Sequence, residues 1–488
     1  MFKIVSIQFN KSSSPRYKVL ADAIEHTLEE DNGTKEKLPP IRKLSAKLGV
    51  SNSTVVAAYR LLEKKGIAYS KPGSGTYILP KIVAPQQNNK FGALFQDYEN
   101  EKLKRGKLDC DNTVIDLAGN SPMAETVPVA DFKKALDTVL DKEGGYAFSY
   151  LESEGYLPLR QILSRFSQTQ YGIQCCSEDI LITSGTQQAL DLIAKAILNP
   201  GDTVLAEMPS YIGMRLAFTM NNARLLGVPV EHDGINLDIT EYYAKQYHPR
   251  LLYTMPVYQT PTGVCMSEEK REHLLALAEK YNFYIVEDDL FSDLNLRGKR
   301  LRPLKSNDNV GRVLYVRSFS KLLMPGIRTG YIIIPHTLFE KLAATKYASD
   351  ISGSSLIQRA LTVYFQNDCW NGNLQKLIAA CRERLQTALR VVSKWKQFGV
   401  TVENIRGGFG LWLTLPKGIT DQKIYYLCQK QKVLLVPGSS FYFSPMVDSE
   451  QHLRISFTAS NQFEKGLHIA EECIKSAVNC VSNHTIFI

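Results

Sequence analysis

A chain of 488 residues, 44% hydrophobic and 22% charged, has the composition of an ordinary globular protein and exceeds the size of a single hydrophobic core. No apolar stretch approaches the ~20 residues of a membrane span, and the amino terminus lacks a signal-peptide pattern, so we expect a cytoplasmic protein with no membrane partner. The nine cysteines lack the spacing of a zinc site, so no metal is expected.

The positive charge is distributed unevenly along the chain. The net charge is +9, and residues 1–80 carry 13 Lys and Arg against 7 Asp and Glu, whereas residues 81–488 carry 45 against 42. A basic excess confined to one small region indicates a polyanion as the partner of that region.

The amino-terminal region has the pattern of three helices. Residues 15–30 place apolar side chains at helical spacing, and a short helix is expected over 41–48. Gly49 suits the tight turn between two crossing helices, and the third helix is expected over 54–65.

A small β-hairpin is predicted after the third helix, with strands at 67–70 and 76–79 around a Pro-Gly-Ser-Gly turn. Either Ser51 or Ser53 can cap the third helix, whose first turn would face a DNA groove. The alternative is a compact three-helix bundle with a hairpin and no role in DNA binding. The residues predicted to face DNA are Arg42, Lys43, Ser51, Asn52, Ser53, Thr54, Arg60, Lys71, Gly73, Ser74 and Gly75.

This stretch resembles the winged helix-turn-helix of the GntR regulators, both in LPPIRKLSAKLGVSNSTVVAAYRLLEKKG and in the wing PGSGTYI. The resemblance implies a DNA-binding domain over residues 10–80 and double-stranded DNA as its partner. Those regulators often carry arginine, suited to reading guanine, after the first serine of the turn. This chain has Asn52 there, so the base preference is left open.

The remainder divides into a linker and an α/β domain. Residues 81–112 are mostly polar without a sustained period, which predicts a linker. From residue 113 onward apolar strand-like runs alternate with helical stretches, which is typical of a largely parallel sheet covered by helices. Such sheets bind ligands at the carboxyl ends of their strands. The clearest strand candidates are 180–183, 203–206, 251–254, 283–286 and 313–316.

One lysine has the surroundings that pyridoxal 5'-phosphate (PLP) requires. Lys321 follows a strand candidate, within Ser-Phe-Ser-Lys, and an amine that condenses with PLP needs a fixed position beside a phosphate cradle. The hydroxyls of Ser318 and Ser320 and the guanidinium of Arg328 supply phosphate contacts. We therefore predict Lys321 as the Schiff-base lysine.

Four further segments fit the same cofactor or its ligand. A strand-to-helix turn offers free helix N–H groups to a phosphate, and it comprises Ser184, Gly185, Thr186 and Gln187. Tyr211 can stack on the pyridine ring, and Asp288 can pair with its protonated nitrogen. Arg454 can bind a ligand carboxylate through two parallel hydrogen bonds. The alternatives are a core tyrosine, a helix-capping or solvent-facing aspartate and a solvent-facing arginine.

The order of these segments resembles that of the fold-type I aminotransferases, and together with the amino-terminal region it resembles the MocR-type regulators. The resemblance implies an α/β fold over 113–488, with a large PLP-binding domain built on a mainly parallel sheet and a smaller carboxy-terminal α+β subdomain. It assigns the roles given above, and it implies that Tyr150 reaches the phosphate of a partner subunit in a homodimer.

Two positions depart from the aminotransferase pattern. Thr260 stands where asparagine is usual, and Leu290 and Phe291 stand where a tyrosine is expected, although both missing groups normally donate to the phenolic oxygen of PLP. Tyr258 or Gln259 is the candidate to replace them. Efficient transamination is therefore not expected.

Three functions are compatible with the sequence. The leading hypothesis is a PLP-dependent transcriptional regulator that senses an amine, an amino acid or PLP itself, with residual aminotransferase-type chemistry at most. The alternative is an active aminotransferase with an appended helix-turn-helix module. A third possibility is a regulator whose pocket no longer binds the cofactor.

Overall fold

The computed structural model describes residues 15–30, 37–71, 73–79, 113–298, 300–403, 405–443 and 450–484. They form two compact units, the first holding residues 15–79 and the second nearly all of the rest. The predicted linker, 81–112, lies outside the described residues.

The first unit consists of three helices and a hairpin. Its elements are α1 (Arg16–Glu30), α2 (Ile41–Leu48), α3 (Asn52–Lys64), β1 (Ala68–Lys71) and β2 (Gly75–Ile78). Leu20, Leu44 and Leu62 are buried in its core. Gly49 has φ +64° and lets α2 end in a tight turn.

The third helix begins two residues before its predicted start. The Ser51 hydroxyl accepts a hydrogen bond from the Thr54 N–H at 3.2 Å, so Ser51 and not Ser53 is the cap. A capped start is favourable because it satisfies a backbone N–H that has no partner within the helix.

The second unit contains one large sheet and smaller ones. Its strands are β3 (Ile115–Asp116), β4 (Ile180–Thr183), β5 (Thr203–Met208), β6 (Arg224–Glu231), β7 (Gly234–Ile235), β8 (Leu251–Thr254), β9 (Tyr284–Asp289), β10 (Val313–Ser318), β11 (Gly330–Ile333), β12 (Thr401–Val402), β13 (Gly410–Thr414), β14 (Val433–Leu434), β15 (Val436–Pro437) and β16 (His452–Ser456). Its helices are α4 (Val129–Glu143), α5 (Leu157–Phe166), α6 (Thr186–Ile197), α7 (Ile212–Met220), α8 (Leu237–Tyr247), α9 (Glu268–Lys280), α10 (His336–Asp350), α11 (Ser355–Gln366), α12 (Cys369–Val392), α13 (Asp421–Lys430) and α14 (Phe463–His484).

The large sheet has the strand order β4-β11-β10-β9-β8-β5-β6-β7. Strands β10, β9, β8, β5 and β6 are parallel, which confirms the mainly parallel sheet. The sequence did not predict two antiparallel strands: β11 runs antiparallel to both β10 and β4, and the two-residue strand β7 runs antiparallel to β6. All five predicted strands are present, and three of them extend further toward their carboxyl ends than predicted.

The carboxy-terminal part is a smaller α+β region, as expected. Strands β12, β13, β16 and β15 form an antiparallel sheet, and helices α13 and α14 pack against each other. Strand β14 pairs in parallel with β3, so the beginning of the second unit is hydrogen-bonded to its carboxy-terminal region. No helix among the described ranges is long and apolar enough to cross a bilayer.

Candidate cofactor and ligand site

A cavity of about 530 Å³ lies beside the carboxyl ends of the central strands. The structure brings eight of the predicted site residues to its wall. They are Thr186, Gln187, Tyr211, Ser318, Ser320, Lys321, Arg328 and Arg454. Ser184 and Gly185 lie immediately behind this wall, as the following contacts show, and Asp288 precedes the wall residue Leu290 by two positions.

One end of the cavity is a cradle of hydroxyl and guanidinium groups. Arg328 donates to the Ser320 hydroxyl at 3.2 Å and to the Ser184 carbonyl at 2.7 Å. Gly185 has φ +93°, and a Cβ atom there would lie 3.1 Å from the Arg328 guanidinium and 3.5 Å from the Ser318 hydroxyl. A side chain at position 185 would therefore fill the cradle.

The Thr186 hydroxyl is the clearest sign that this cradle suits an anion. It is buried, and within the described part of the chain it has no hydrogen-bond partner. Thr186 is the first residue of α6, so its hydroxyl lies beside the free N–H groups of the helix start. A phosphate would satisfy these donors together.

A partly buried hydrogen-bond chain supports the cradle. The Ser184 N–H donates to Gln188 Oε1 at 2.6 Å, and the Gln188 side-chain amide donates to Asp350 at 2.7 Å. Asp350 also pairs with the buried Lys346 ammonium at 2.6 Å. The sequence did not predict these three supporting residues, because Gln188 and Asp350 are 162 positions apart.

Asp288 lies fully buried near the end of β9 and has one unsatisfied oxygen. Its Oδ2 accepts from the Tyr253 hydroxyl at 2.7 Å, whereas its Oδ1 has no partner among the described residues. Burial raises the pKa of Asp288 to about 7, against the lowering effect of the Tyr253 hydrogen bond. A cationic ring nitrogen would satisfy the orphaned oxygen and favour the ionised carboxylate.

The next residue, Asp289, points to the other side of the strand. It pairs with the fully buried Arg317 at 2.9 Å. The alternation of side chains along β9 thus separates a structural ion pair from the carboxylate that remains available. Because Asp288 is buried, it is not the solvent-facing acid that the sequence left as an alternative.

Arg454 and Lys321 both contact a residue that the sequence analysis did not select. The Lys321 ammonium donates to the Asn120 carbonyl at 2.5 Å, and the Arg454 guanidinium donates to Asn120 Oδ1 at 2.9 Å. Arg454 also donates to the Ala118 carbonyl at 2.7 Å. Burial lowers the pKa of Arg454 to about 10, and its burial excludes a solvent-facing strand arginine.

The residues that replace the usual phenolic-oxygen donors lie where expected. Thr260 and Leu290 both line the cavity. The Tyr258 hydroxyl instead donates to Asn295 at 3.3 Å, and the Gln259 amide donates to the Pro209 carbonyl at 2.7 Å. The structure therefore directs both candidate replacements away from the cavity.

Tyr211 and Tyr150 occupy different environments. Tyr211 is half-buried on the cavity wall, with its hydroxyl 3.5 Å from Gln187 Oε1. Tyr150 is 87% exposed and lies outside the cavity, near the exposed rings of Tyr146 and Phe148 in sequence.

In the first unit, the residues predicted to face DNA lie mostly on the surface. Thr54 and Ser74 are half-buried, and the others are exposed. Asn52 Oδ1 accepts a hydrogen bond from the Ser45 hydroxyl at 2.7 Å, which links the start of α3 to α2. Lys65 is instead used within the unit, since it pairs with Asp22 at 2.9 Å and Glu25 at 2.6 Å.

The fold and the cavity define a protein of the aminotransferase type with a helix-turn-helix unit before it. Comparison with protein families supports both parts: residues 112–469 match aminotransferase class I and II, and residues 16–78 match the bacterial regulatory proteins of the gntR family.

Individual relatives cover the chain in two ways. The uncharacterized HTH-type transcriptional regulator YdfD of Bacillus subtilis is 30% identical over 469 residues, 93% of this chain and 95% of the relative. Aromatic-amino-acid aminotransferase 1 of Thermococcus litoralis is 32% identical over 374 residues, 76% of this chain and 90% of the relative. A kynurenine aminotransferase of Pyrococcus horikoshii, solved with PMP, has a TM-score of 0.71 and 31% identity over 78% of this chain and 94% of its own.

The chain belongs to the aminotransferase class I and II family and, through its gntR-family unit, to the MocR-type transcriptional regulators. Enzymes of this fold depend on PLP. In such enzymes the polypeptide binds and orients the cofactor, and the cofactor supplies the electron sink.

Proposed function

We propose that this chain is a DNA-binding regulator that holds PLP in the second unit and senses a small amine or amino acid there. The observation that carries the proposal is one cavity that brings together Lys321, the cradle around Gly185 and Arg454, the candidate to bind a carboxylate. The same chain also has a helix-turn-helix unit.

The donor and acceptor groups of the cavity fit PLP at two separate points. The Thr186 hydroxyl, which has no partner among the described residues, and the lack of a side chain at Gly185 suit a phosphate, with Ser184, Ser318, Ser320 and Arg328 around it. The orphaned Asp288 oxygen suits a protonated pyridine nitrogen. Lys321 would supply the amine that links covalently to the cofactor, and Tyr211 would stack on the ring.

The loss of the usual asparagine amide at Thr260 and of the usual tyrosine hydroxyl at Leu290 supports sensing over turnover. A hydrogen bond to the phenolic oxygen favours its ionised form, and an apolar leucine beside it gives no such support. Weak stabilisation of that oxygen disfavours the proton transfers of a complete transamination cycle.

The remaining assignments are part of the same proposal. Residues 10–80 are the DNA-binding domain, 81–112 the linker and 113–488 the effector domain of a cytoplasmic homodimer. Tyr150 of each subunit completes the phosphate site of its partner, which accords with its exposure in the single chain.

The test uses the purified full-length protein. Visible absorption by the bound cofactor and borohydride trapping on Lys321 are expected, together with selective binding to the DNA upstream of its own gene and a change in DNA affinity when amines or amino acids are added. Sustained turnover of an amino donor and a keto acid, without selective DNA binding, would instead establish the aminotransferase alternative. Absence of cofactor from the protein after incubation with PLP would refute the sensing mechanism.

A further inference from the structure

Asn120 is the residue that contacts both of the cationic groups expected to meet a ligand. Its backbone carbonyl accepts from the Lys321 ammonium at 2.5 Å, and its side-chain oxygen accepts from the Arg454 guanidinium at 2.9 Å. Asn120 lines the cavity together with these two residues. It therefore lies between the amine that would react and the group that would bind a carboxylate.

The contact with Arg454 places Asn120 in competition with any ligand carboxylate. A carboxylate binds a guanidinium best through two parallel hydrogen bonds, and one N–H group of Arg454 is already committed to the Ala118 carbonyl at 2.7 Å. The Asn120 amide accepts from the other terminal nitrogen. A charged carboxylate makes a stronger hydrogen bond than a neutral amide, so it displaces the amide when it binds.

The backbone around Asn120 is otherwise fixed, which makes this displacement informative. Both the Ala118 and Gly119 N–H groups donate to Asp116 Oδ1 at 2.8 Å, and the Ser121 carbonyl accepts from the Thr458 hydroxyl at 2.8 Å. Asp116 belongs to β3, which begins three positions after residue 112, the end of the predicted linker. Displacement of the Asn120 side chain therefore leaves the backbone that carries it in place.

We propose that Asn120 is a specificity-determining residue, whose amide occupies Arg454 until a ligand carboxylate displaces it, so that amino acids elicit a response that simple amines do not. This inference rests on the proposed function and deepens it by naming the ligand class. An amine without a carboxylate would replace Lys321 on the cofactor and release the lysine amine, but it would leave the Asn120–Arg454 hydrogen bond intact.

The experiment compares pairs of probes that differ in the carboxylate, L-alanine with ethylamine and L-phenylalanine with 2-phenylethylamine. Each is titrated into the cofactor-loaded full-length protein, and dissociation constants are read from the visible spectrum. Asn120→Ala removes the competitor for Arg454, so its affinity for the amino acids should rise about three- to tenfold, the equivalent of one hydrogen bond. Its affinity for the amines should stay within about twofold.

A second variant should change the affinity for amino acids in the opposite direction. Asn120→Asp places a carboxylate beside Arg454, so amino acids should bind more than about tenfold more weakly while the amines are unaffected. The control is Asn371→Ala, because Asn371 is an exposed asparagine whose amide donates to Asp368 at 2.8 Å, and no probe should bind it differently from the natural protein.

Several outcomes would overturn the proposal. They are an unchanged or weaker affinity of Asn120→Ala for amino acids, an equal change for amines, and no spectral response of the natural protein to either amino acid. A protein that takes up no cofactor would refute the proposed function itself, which separates that failure from a failure of the Asn120 assignment.

Discussion

The two units of this chain place their charges in opposite environments. In the first unit, Arg42, Lys43 and Arg60 are exposed, so they are free to neutralise an external polyanion in a salt-dependent way. In the second unit, Asp288 and Arg454 are buried, and their pKa values are displaced by that burial. Salt should therefore control the first unit, and protons and covalent chemistry should control the second.

Within the second unit, the buried carboxyl groups of the large sheet differ in whether the protein satisfies them. Glu207 and Glu287 are fully buried, and burial raises the pKa of each to about 7. Glu207 accepts from the Met255 N–H at 3.1 Å, and Glu287 accepts from the Leu304 N–H at 2.7 Å. These carboxyls have partners on the protein, whereas Asp288 retains one oxygen for a ligand.

The largest effect is expected from Lys321→Ala, which removes the amine needed for covalent attachment. Visible absorption by the linked cofactor and the borohydride-trapped adduct should both disappear, while DNA binding by the first unit should retain its salt dependence. Absorption spectroscopy and peptide mass spectrometry check this result. Lys376→Ala, at an exposed position, is the control, and trapping on a lysine other than Lys321 would contradict the assignment.

Asp288→Asn should stabilise the cofactor-free protein in a pH-dependent way. The raised folded-state pKa of about 7 means that the stability contributed by Asp288 is present at acidic pH and is lost as the pH rises through 7. At pH 8 the variant should gain up to a few kcal/mol over the natural protein, at about 1.4 kcal/mol per pKa unit, and at pH 5, which lies between the unfolded-state pKa of about 4 and the folded-state pKa of about 7, it should gain less. Its affinity for PLP should fall.

Thermal unfolding at pH 5 and pH 8 measures this difference. Asp141→Asn is the control, because Asp141 is exposed in α4. Its replacement should cause the same small change in stability at pH 5 and at pH 8. A gain for Asp288→Asn that is the same at pH 5 and pH 8 would show that ionisation of the buried carboxyl is not its cause.

A smaller effect is expected from Arg42→Ala, which tests the exposed charges of the first unit. Loss of one phosphate contact should weaken DNA binding and make the slope of log affinity against log salt shallower by about 0.9. Fluorescence anisotropy over a salt series measures both quantities. Lys417→Ala, at an exposed position of the second unit, should leave the slope unchanged. An equal effect of the two substitutions would remove the contrast between the units.

The sequence predicted the features that depend on local pattern. The helices of the first unit, the αL turn at Gly49 and the parallel core of the large sheet follow from periodicity and turn chemistry. The ends of β9 and β10 were predicted too short because they continue into buried charged residues, such as Asp289 and Arg317, which satisfy each other across the strands. A hydrophobic pattern does not record such pairing.

Long-range contacts explain what the sequence missed at the site. Asn120 meets Lys321 across 201 positions and Arg454 across 334, so no local motif identifies it. The antiparallel direction of β11 was missed for a related reason, since a four-residue apolar strand has the same pattern in either orientation. The motifs identified residues that line the cavity, but not the residues that hold them in place.

The hydrogen-bond chain from Lys346 through Asp350 and Gln188 to Ser184 lowers the free-energy cost of binding at the cradle. Ordering a flexible loop costs about 1–2 kcal/mol per residue, and a loop that is already held in place does not incur this cost when its ligand arrives. Binding of a phosphate-bearing cofactor should therefore retain more of the free energy of its contacts than binding to a loop that must first be ordered.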